Sequence, residues 1–255
     1  MSTIHFSRPA PHVALLAIDN PPMNALGRAA RAALLARLDE IDADTDIRAV
    51  ILTGHGDKAF CSGDDLKEQA EAQKAKSSAH LGEFGRVLER IETYRLPVIA
   101  AINGWCLGGG LELASVCDIR IASQTARFVC SGVNVGLMAS AYRLPRLIGV
   151  ARAKHMLLTG SPVDALTADK FGLVTAVHTP EKLMTEAIAL ATRIASRAPL
   201  SVEATKRTAA LAPDLTPEEA AAVNAKELAV LGRSADHKAA LAAFAEKREP
   251  KFTRE

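Results

Sequence analysis

The sequence predicts an α/β chain with a helical C-terminal region, and three observations carry that expectation. Short apolar runs alternate with helical stretches through the first half, two glycine-rich turns each lead from such a run into a helix, and helix-start chemistry dominates after Val150. Strands that alternate with helices pair in parallel, because the returning crossover is the helix.

His12 to Asp19 (HVALLAID) reads as a strand, followed by the turn-rich NPPMN and an Ala/Leu/Arg helix from about Leu26 to Asp42. Arg48 to Thr53 (RAVILT) is a second, buried type of strand, leading through GHGDKAFCSGDDLKE to a polar helical stretch. Val98 to Ile102, entered through Pro97, suits a strand buried on both faces, and Asn103-Gly104 ends it. Gly108-Gly109-Gly110 then opens a helical pattern at Leu111. In the second half, Thr179-Pro180 and Thr216-Pro217 each place a capping hydroxyl before a proline at the first helical position, and Glu219 completes a capping box. Gly172 to Val177 reads as a turn and short strand. Ser234 caps a last helix running through Leu241 and Phe244 to Lys247 and Arg248.

Composition narrows the function classes. A chain of 255 residues with 49% hydrophobic and 24% charged residues can bury a substantial core. A formal charge of +2 with dispersed Lys and Arg, and an aromatic content of 4%, argue against nucleic acid. No apolar run approaches the roughly 20 residues that cross a bilayer, so no membrane role is expected. Cys61, Cys106, Cys117 and Cys130 show no C-x-x-C spacing and no signal peptide is read ahead of them, so reduced thiols in a cytoplasm are expected. The seven histidines form no paired ligand motif, and no metal is expected.

The chemistry concentrates in Arg95 to Ser115, RLPVIAAINGWCLGGGLELAS. Glycines let a ligand approach the backbone, and free N–H groups at the helix start, with the positive end of the helix dipole, favour an anion there. Glu112 lies three residues after Gly109 on the same helical face, where a carboxylate can reach a carbon next to the group those amides bind. Tight helix–strand packing with a solvated glutamate is the alternative, and spacing alone does not choose between them. The run does not match G-x-G-x-x-G, which leaves dinucleotide binding without support. Phe60 to Lys67 repeats the strand–glycine–helix arrangement, so two turns can aim two amides at one oxygen.

Taken together, KAFCSGDDLKE, PVIAAINGWCLGGGLELA, the early NPPMNAL and the terminal AFAEKREPKF resemble the crotonase, or enoyl-CoA hydratase/isomerase, superfamily, in order and across nearly the whole chain. The resemblance implies a ββα spiral core over residues 1–195 that binds acyl-CoA. It also implies a helical trimerisation region over 196–255, assembled as a homotrimer or dimer of trimers. It implies an acyl-CoA thioester substrate, no prosthetic group, and an enolate stabilised by two backbone amides. By position these are the amides of Asp64 and Gly109, with Glu112 as acid/base. Asp65 fills the family's acidic position as a helix cap. Ala25, Leu26 and the segment Cys61, Ser62, Gly63, Asp65, Leu66 and Lys67 shape the CoA groove. Phe244 and Lys247 match positions on the last helix that close the site, often on a neighbouring subunit.

The chain also departs from that pattern. Hydratases of the family carry a second glutamate four residues after the phenylalanine of ARF, where this chain has Gly132. A glycine-rich segment is replaced by Met138 to Arg146, which brings Ser140, Tyr142 and Arg143 toward the pocket. Cys130, Ser131 and Asn134 are further substitutes for the lost carboxylate. The leading expectation is an acyl-CoA enzyme of the hydratase/isomerase class. An acyl-CoA hydrolase or decarboxylase using the region of Ser140 and Arg143 stands beside it, as does a non-catalytic acyl-CoA-binding protein. Ser140 is a weak nucleophile unless a base adjoins it.

Overall fold

The computed structural model describes residues 3–74 and 82–255. The end of the polar helical stretch expected after Lys67 lies outside them. The chain runs β1 (Thr3–Ala10), β2 (Val13–Asp19), α1 (Arg28–Ala43), β3 (Ala49–Gly54), β4 (Ala59–Cys61), α2 (Leu66–Lys74), α3 (Glu83–Glu92), β5 (Val98–Ile102), β6 (Trp105–Leu107), α4 (Gly109–Val116), β7 (Ile119–Ser123) and β8 (Arg127–Val129). The second half holds α5 (Arg143–Ile148), α6 (Val150–Thr159), β9 (Val163–Asp164), α7 (Ala165–Phe171), β10 (Ala176–His178), α8 (Pro180–Ala195), α9 (Pro199–Leu211), α10 (Pro217–Leu231) and α11 (Ala235–Ala245).

From β3 to β8 successive strands alternate between two sheets. One has the order β1-β2-β3-β5-β7-β10 and the other β4-β6-β8-β9. Each strand of the first sheet from β3 to β7 is followed by one in the second and, after it, by a helix, a ββα unit that repeats as a spiral. Pairing in the first sheet is parallel from β2 onward, as the alternation predicts, and only β1 pairs antiparallel.

Both faces of the first sheet are covered at its central strands β3 and β5, which explains why these strands lack the polar alternation of a half-exposed strand. Val13, Ile51, Ile99, Ala101 and Ile121 point to α8, where Leu183, Ala187, Ala191 and Ala195 form a small-residue stripe. Their neighbours Leu16, Val50, Leu52, Ala100 and Ile102 point the other way, into a core shared with α1, α3, α4 and the second sheet. Arg120 is buried there, its guanidinium donating to the carbonyls of Leu173 (2.8 Å) and Cys117 (2.6 Å). The C-terminal end folds back to this body: Arg254 pairs with Glu203, and Arg48 donates to the Phe252 carbonyl at 2.8 Å.

Several expectations change in detail. The edge strand β1 has no counterpart in the sequence reading, because TIHFSRPA is mostly exposed and polar. α1 begins at Arg28, not Leu26, since Leu26 is held in a bridge to Asp64. The strand expected over Gly172 to Val177 is Ala176–His178. Thr216 forms the full capping box and Ser234 caps through its hydroxyl, whereas Thr179 occupies the cap position without a side-chain bond to the helix. The last helix stops at Ala245, short of Lys247 and Arg248, and Lys247 takes a positive φ of 54°.

Candidate active site

The parallel pairing of β4 with β6 sets the two glycine turns side by side. From β4 the chain passes through Gly63, at φ 88°, into α2; from β6 it passes through Gly108, at φ 47°, into α4. Contact between the turns is backbone to backbone. A Cβ on Gly63 would lie 2.6 Å from the Gly109 nitrogen and 2.7 Å from its Cα, and one on Gly110 would overlap the Cys61 carbonyl. Glycine is thus required here by the approach of one turn to the other. Among the described residues, neither the Asp64 nor the Gly109 amide donates a hydrogen bond within the chain. Their neighbours are engaged: Gly108 N donates to Val129 and Leu26 N to Gly63.

Glu112 stands in the first turn of α4, half-buried, with Oε1 accepting the Ser140 amide at 2.6 Å. It lines a cavity of about 230 Å³ together with Ser62, Asp64, Gly109, Gly132 and apolar walls from Leu66, Phe84 and Met138. A second cavity of about 410 Å³, formed by Met138 to Arg143, meets it at the same carboxylate. The sequence-predicted turns, Glu112 and Gly132 therefore converge.

Around this centre the other expected residues divide. Asp65 is the cap of α2, its Oδ1 accepting from the amides of Lys67 (2.9 Å) and Glu68 (3.4 Å). Leu26 is fully buried, donating to the Gly63 carbonyl at 2.7 Å, and the Ala25 carbonyl accepts from Asn20. Lys67 is exposed. Phe244, 85% exposed, and Lys247 line neither cavity of the single chain.

The substitutes considered for the second carboxylate are mostly committed elsewhere. Arg143 makes two bonds to Glu92 (2.6 and 3.1 Å), Asn134 donates to the Gly160 carbonyl at 3.0 Å, and Tyr142 is exposed with its ring against Arg146. Burial, with the nearby charge of Glu112, pushes the Cys130 thiol up to about 12. Burial likewise pushes Cys61 up to about 12, so neither presents a thiolate at neutral pH. Ser140 is buried at φ 59°, with its amide on Glu112 and its hydroxyl without a hydrogen-bond partner. That hydroxyl makes no hydrogen bond to Glu112, and so has no base in place.

Sequence reasoning did not find Phe84, which packs over Gly109 from α3, or Arg31, which pairs with Asp64 from α1. Arg31 had a signal: it interrupts the apolar stripe Ala30, Leu34, Leu38 and Ile41 of its helix. Two other features lie apart from this centre. A larger apolar cavity of about 870 Å³ between α4, α8 and α9 contains none of the predicted site residues. His5, Asp19 and His55 bring three metal-ligating side chains within 4.8 Å, the one such group among the described residues, and line neither site cavity. No helix among the described residues is long and apolar enough to cross a membrane.

The Enoyl-CoA hydratase/isomerase family model matches residues 10–255. The chain is 39% identical over 245 residues to (E)-benzylidenesuccinyl-CoA hydratase of Thauera aromatica, covering 94% of this chain and 95% of that protein. It is 36% identical to short-chain-enoyl-CoA hydratase of Clostridium acetobutylicum, covering 93% and 92% respectively. The crystal structure of an enoyl-CoA hydratase from Bacillus anthracis superposes with a TM-score of 0.94 at 35% identity, over 99% of this chain and 100% of that one. With nearly the full length matched in sequence and in fold, the chain belongs to the enoyl-CoA hydratase/isomerase family of the crotonase superfamily.

Proposed function

We propose that this protein is an acyl-CoA lyase that adds water to a 2-enoyl-CoA, with the Asp64 and Gly109 amides as oxyanion hole and Glu112 as the single acid/base. The observation that carries the reading is the backbone contact between the two glycine turns, which leaves those amides beside one cavity whose wall holds Glu112. Addition of water to the β-carbon pushes the double-bond electrons into the thioester carbonyl. Two donors at about 2.7–3.1 Å from the developing oxyanion stabilise that charge, each by several kcal/mol. Glu112 takes the proton that water releases as its oxygen bonds to the β-carbon, and returns it to the α-carbon as the enolate collapses. One carboxylate thus serves both steps, ends as it began, and does not need a partner at position 132 for proton balance. The Ser140 amide on Oε1 orients the carboxylate. The T. aromatica relative is named for a substrate bearing an aromatic ring and a carboxyl group, and here the cavity walls of Leu66, Phe84 and Met138 favour an apolar acyl chain.

Mass-spectrometric product analysis on short, branched, aromatic and carboxylated enoyl-CoAs tests the reaction. Gain of one water is expected. Release of free CoA or carbon dioxide supports the hydrolase or decarboxylase reading instead, and thermal stabilisation by CoA thioesters without turnover supports a binding protein. Glu112→Gln is expected to lower kcat at least about a hundredfold, within the range for general acid–base catalysis. Retained turnover in that variant would remove Glu112 from the chemistry.

The C-terminal helices fit a homotrimer or dimer of trimers. α10 has no buried residue and α11 buries only Asp236 and Ala243, and Leu228, Val230, Leu241 and Phe244 stay exposed on a single chain. Sedimentation at micromolar concentration is expected to give a trimer or hexamer, and a monomer would contradict the assembly.

A further inference from the structure

We propose that Arg31 is a positioning residue of the oxyanion hole, one that neutralises the Asp64 carboxylate so that the amide of the same residue can donate to an enolate oxygen. The inference rests on the assignment of that amide to the hole.

Asp64 is an awkward residue at this point. Its backbone N–H is assigned to the cavity, yet its side chain carries a full negative charge within one residue's reach of the place where negative charge must develop. Like charges at that separation repel, and the repulsion is poorly screened where protein excludes water. The carboxylate is held away by contacts to both oxygens. Oδ1 pairs with the Arg31 guanidinium and accepts the Asp65 amide at 3.1 Å, while Oδ2 accepts Gln69 Nε2 at 2.7 Å.

Arg31 is built into the site from the far side. Its side chain is 4% exposed and lies on the apolar stripe of α1. Nη1 also donates to the Leu26 carbonyl at 3.1 Å, on the residue that bridges to Asp64. Nη2 donates to Glu83 of α3 at 3.1 Å, with Glu68 of α2 at 3.9 Å. One guanidinium therefore faces three carboxylates, all on elements that border the cavity. Its Nε is buried without a partner. Stability alone would be served as well by an apolar residue on this stripe, since a buried ion pair loses much of its attraction to desolvation. An electrostatic task next to the hole accounts for the charge.

A 1,3-dicarbonyl thioester such as acetoacetyl-CoA reads this directly, because its enolate absorbs in the near ultraviolet and its ionisation when bound reports on the hole. With wild type, binding and a lowered ligand pKa are expected. Failure of both would overturn the oxyanion-hole reading itself, separately from Arg31. Arg31→Met is expected to raise the bound ligand's pKa by about one or more, roughly tenfold less enolate at fixed pH, and to lower kcat about tenfold with little change in KM. Arg31→Met/Asp64→Ala is expected to regain most of both, because the harm comes from the unpaired carboxylate. A double variant no better than Arg31→Met would mean that Arg31 only staples helices, and would overturn the proposal. Should Arg31→Met fail to fold, Asp64→Asn carries the test: a lower bound-ligand pKa is expected, and an unchanged or raised one overturns it.

Discussion

By the family resemblance Gly132 stands at the position of a second hydratase glutamate, and its surroundings leave little room for a side chain there. Its φ of −53° suits any residue, so conformation does not demand glycine. Space is tight, since a Cβ there would lie 3.0 Å from the Leu137 carbonyl oxygen and 3.1 Å from the Ala139 nitrogen, and those atoms would have to give way slightly. The backbone from Leu137 to Ala139, just before the Ser140 amide that binds Glu112, lies against the position. Gly132→Glu is therefore expected to cost about 1–3 kcal/mol in urea denaturation, as overpacking does, and to bring no gain in kcat. A faster enzyme of undiminished stability would show that the loop is not the constraint. At this scale the sequence was informative where chemistry depends on residue type, as at Glu112, Gly63 and Gly109. It was silent on Phe84, an ordinary apolar residue of α3 until folding sets it over Gly109.

Among the elements, those with strong local signals were legible. The β5 run, with alternate side chains entering two different cores, and the Thr216 capping box both follow from a few adjacent residues. β1 was not legible, because an edge strand with one bonded neighbour needs little apolar pattern. The C-terminal pair poses the opposite case. Leu228 (68% exposed) and Val230 on α10, with Leu241 and Phe244 (85%) on α11, would make an unusual free surface. If they form the proposed subunit contact, Leu228→Asp and Phe244→Asp should shift the sedimenting species toward monomer while leaving the far-ultraviolet circular dichroism of the chain intact. Unchanged assembly in both variants would place the contact elsewhere.

For the molecule as a whole, four buried cysteines couple stability to pH on the alkaline side. Burial pushes Cys61, Cys117 and Cys130 from 9.0 up to about 12, and Cys106 well above its ordinary value. Below pH 9 the thiols are neutral in folded and unfolded chain alike, and their contribution is fully present. As pH rises from 9 toward 12 the unfolded chain releases protons that the native state retains, so stability falls through that window. The fall reaches at most about 1.4 kcal/mol for each thiol as the pH rises by one. Urea midpoints from neutral to strongly alkaline solution should be flat until the ordinary thiol range and then drop, with thiol reagents slow on the native protein. A profile that stays flat through that range would contradict this burial. The sequence by itself determined the α/β alternation, the two glycine turns and the lone carboxylate, because each depends on residues adjacent in the chain. Only the tertiary structure decided that β4 and β6 lie side by side, that Leu137 and Ala139 press against Gly132, and that Arg31 meets Asp64. Those outcomes depend on which surfaces pack together across long stretches of chain, and no local pattern of side chains encodes them.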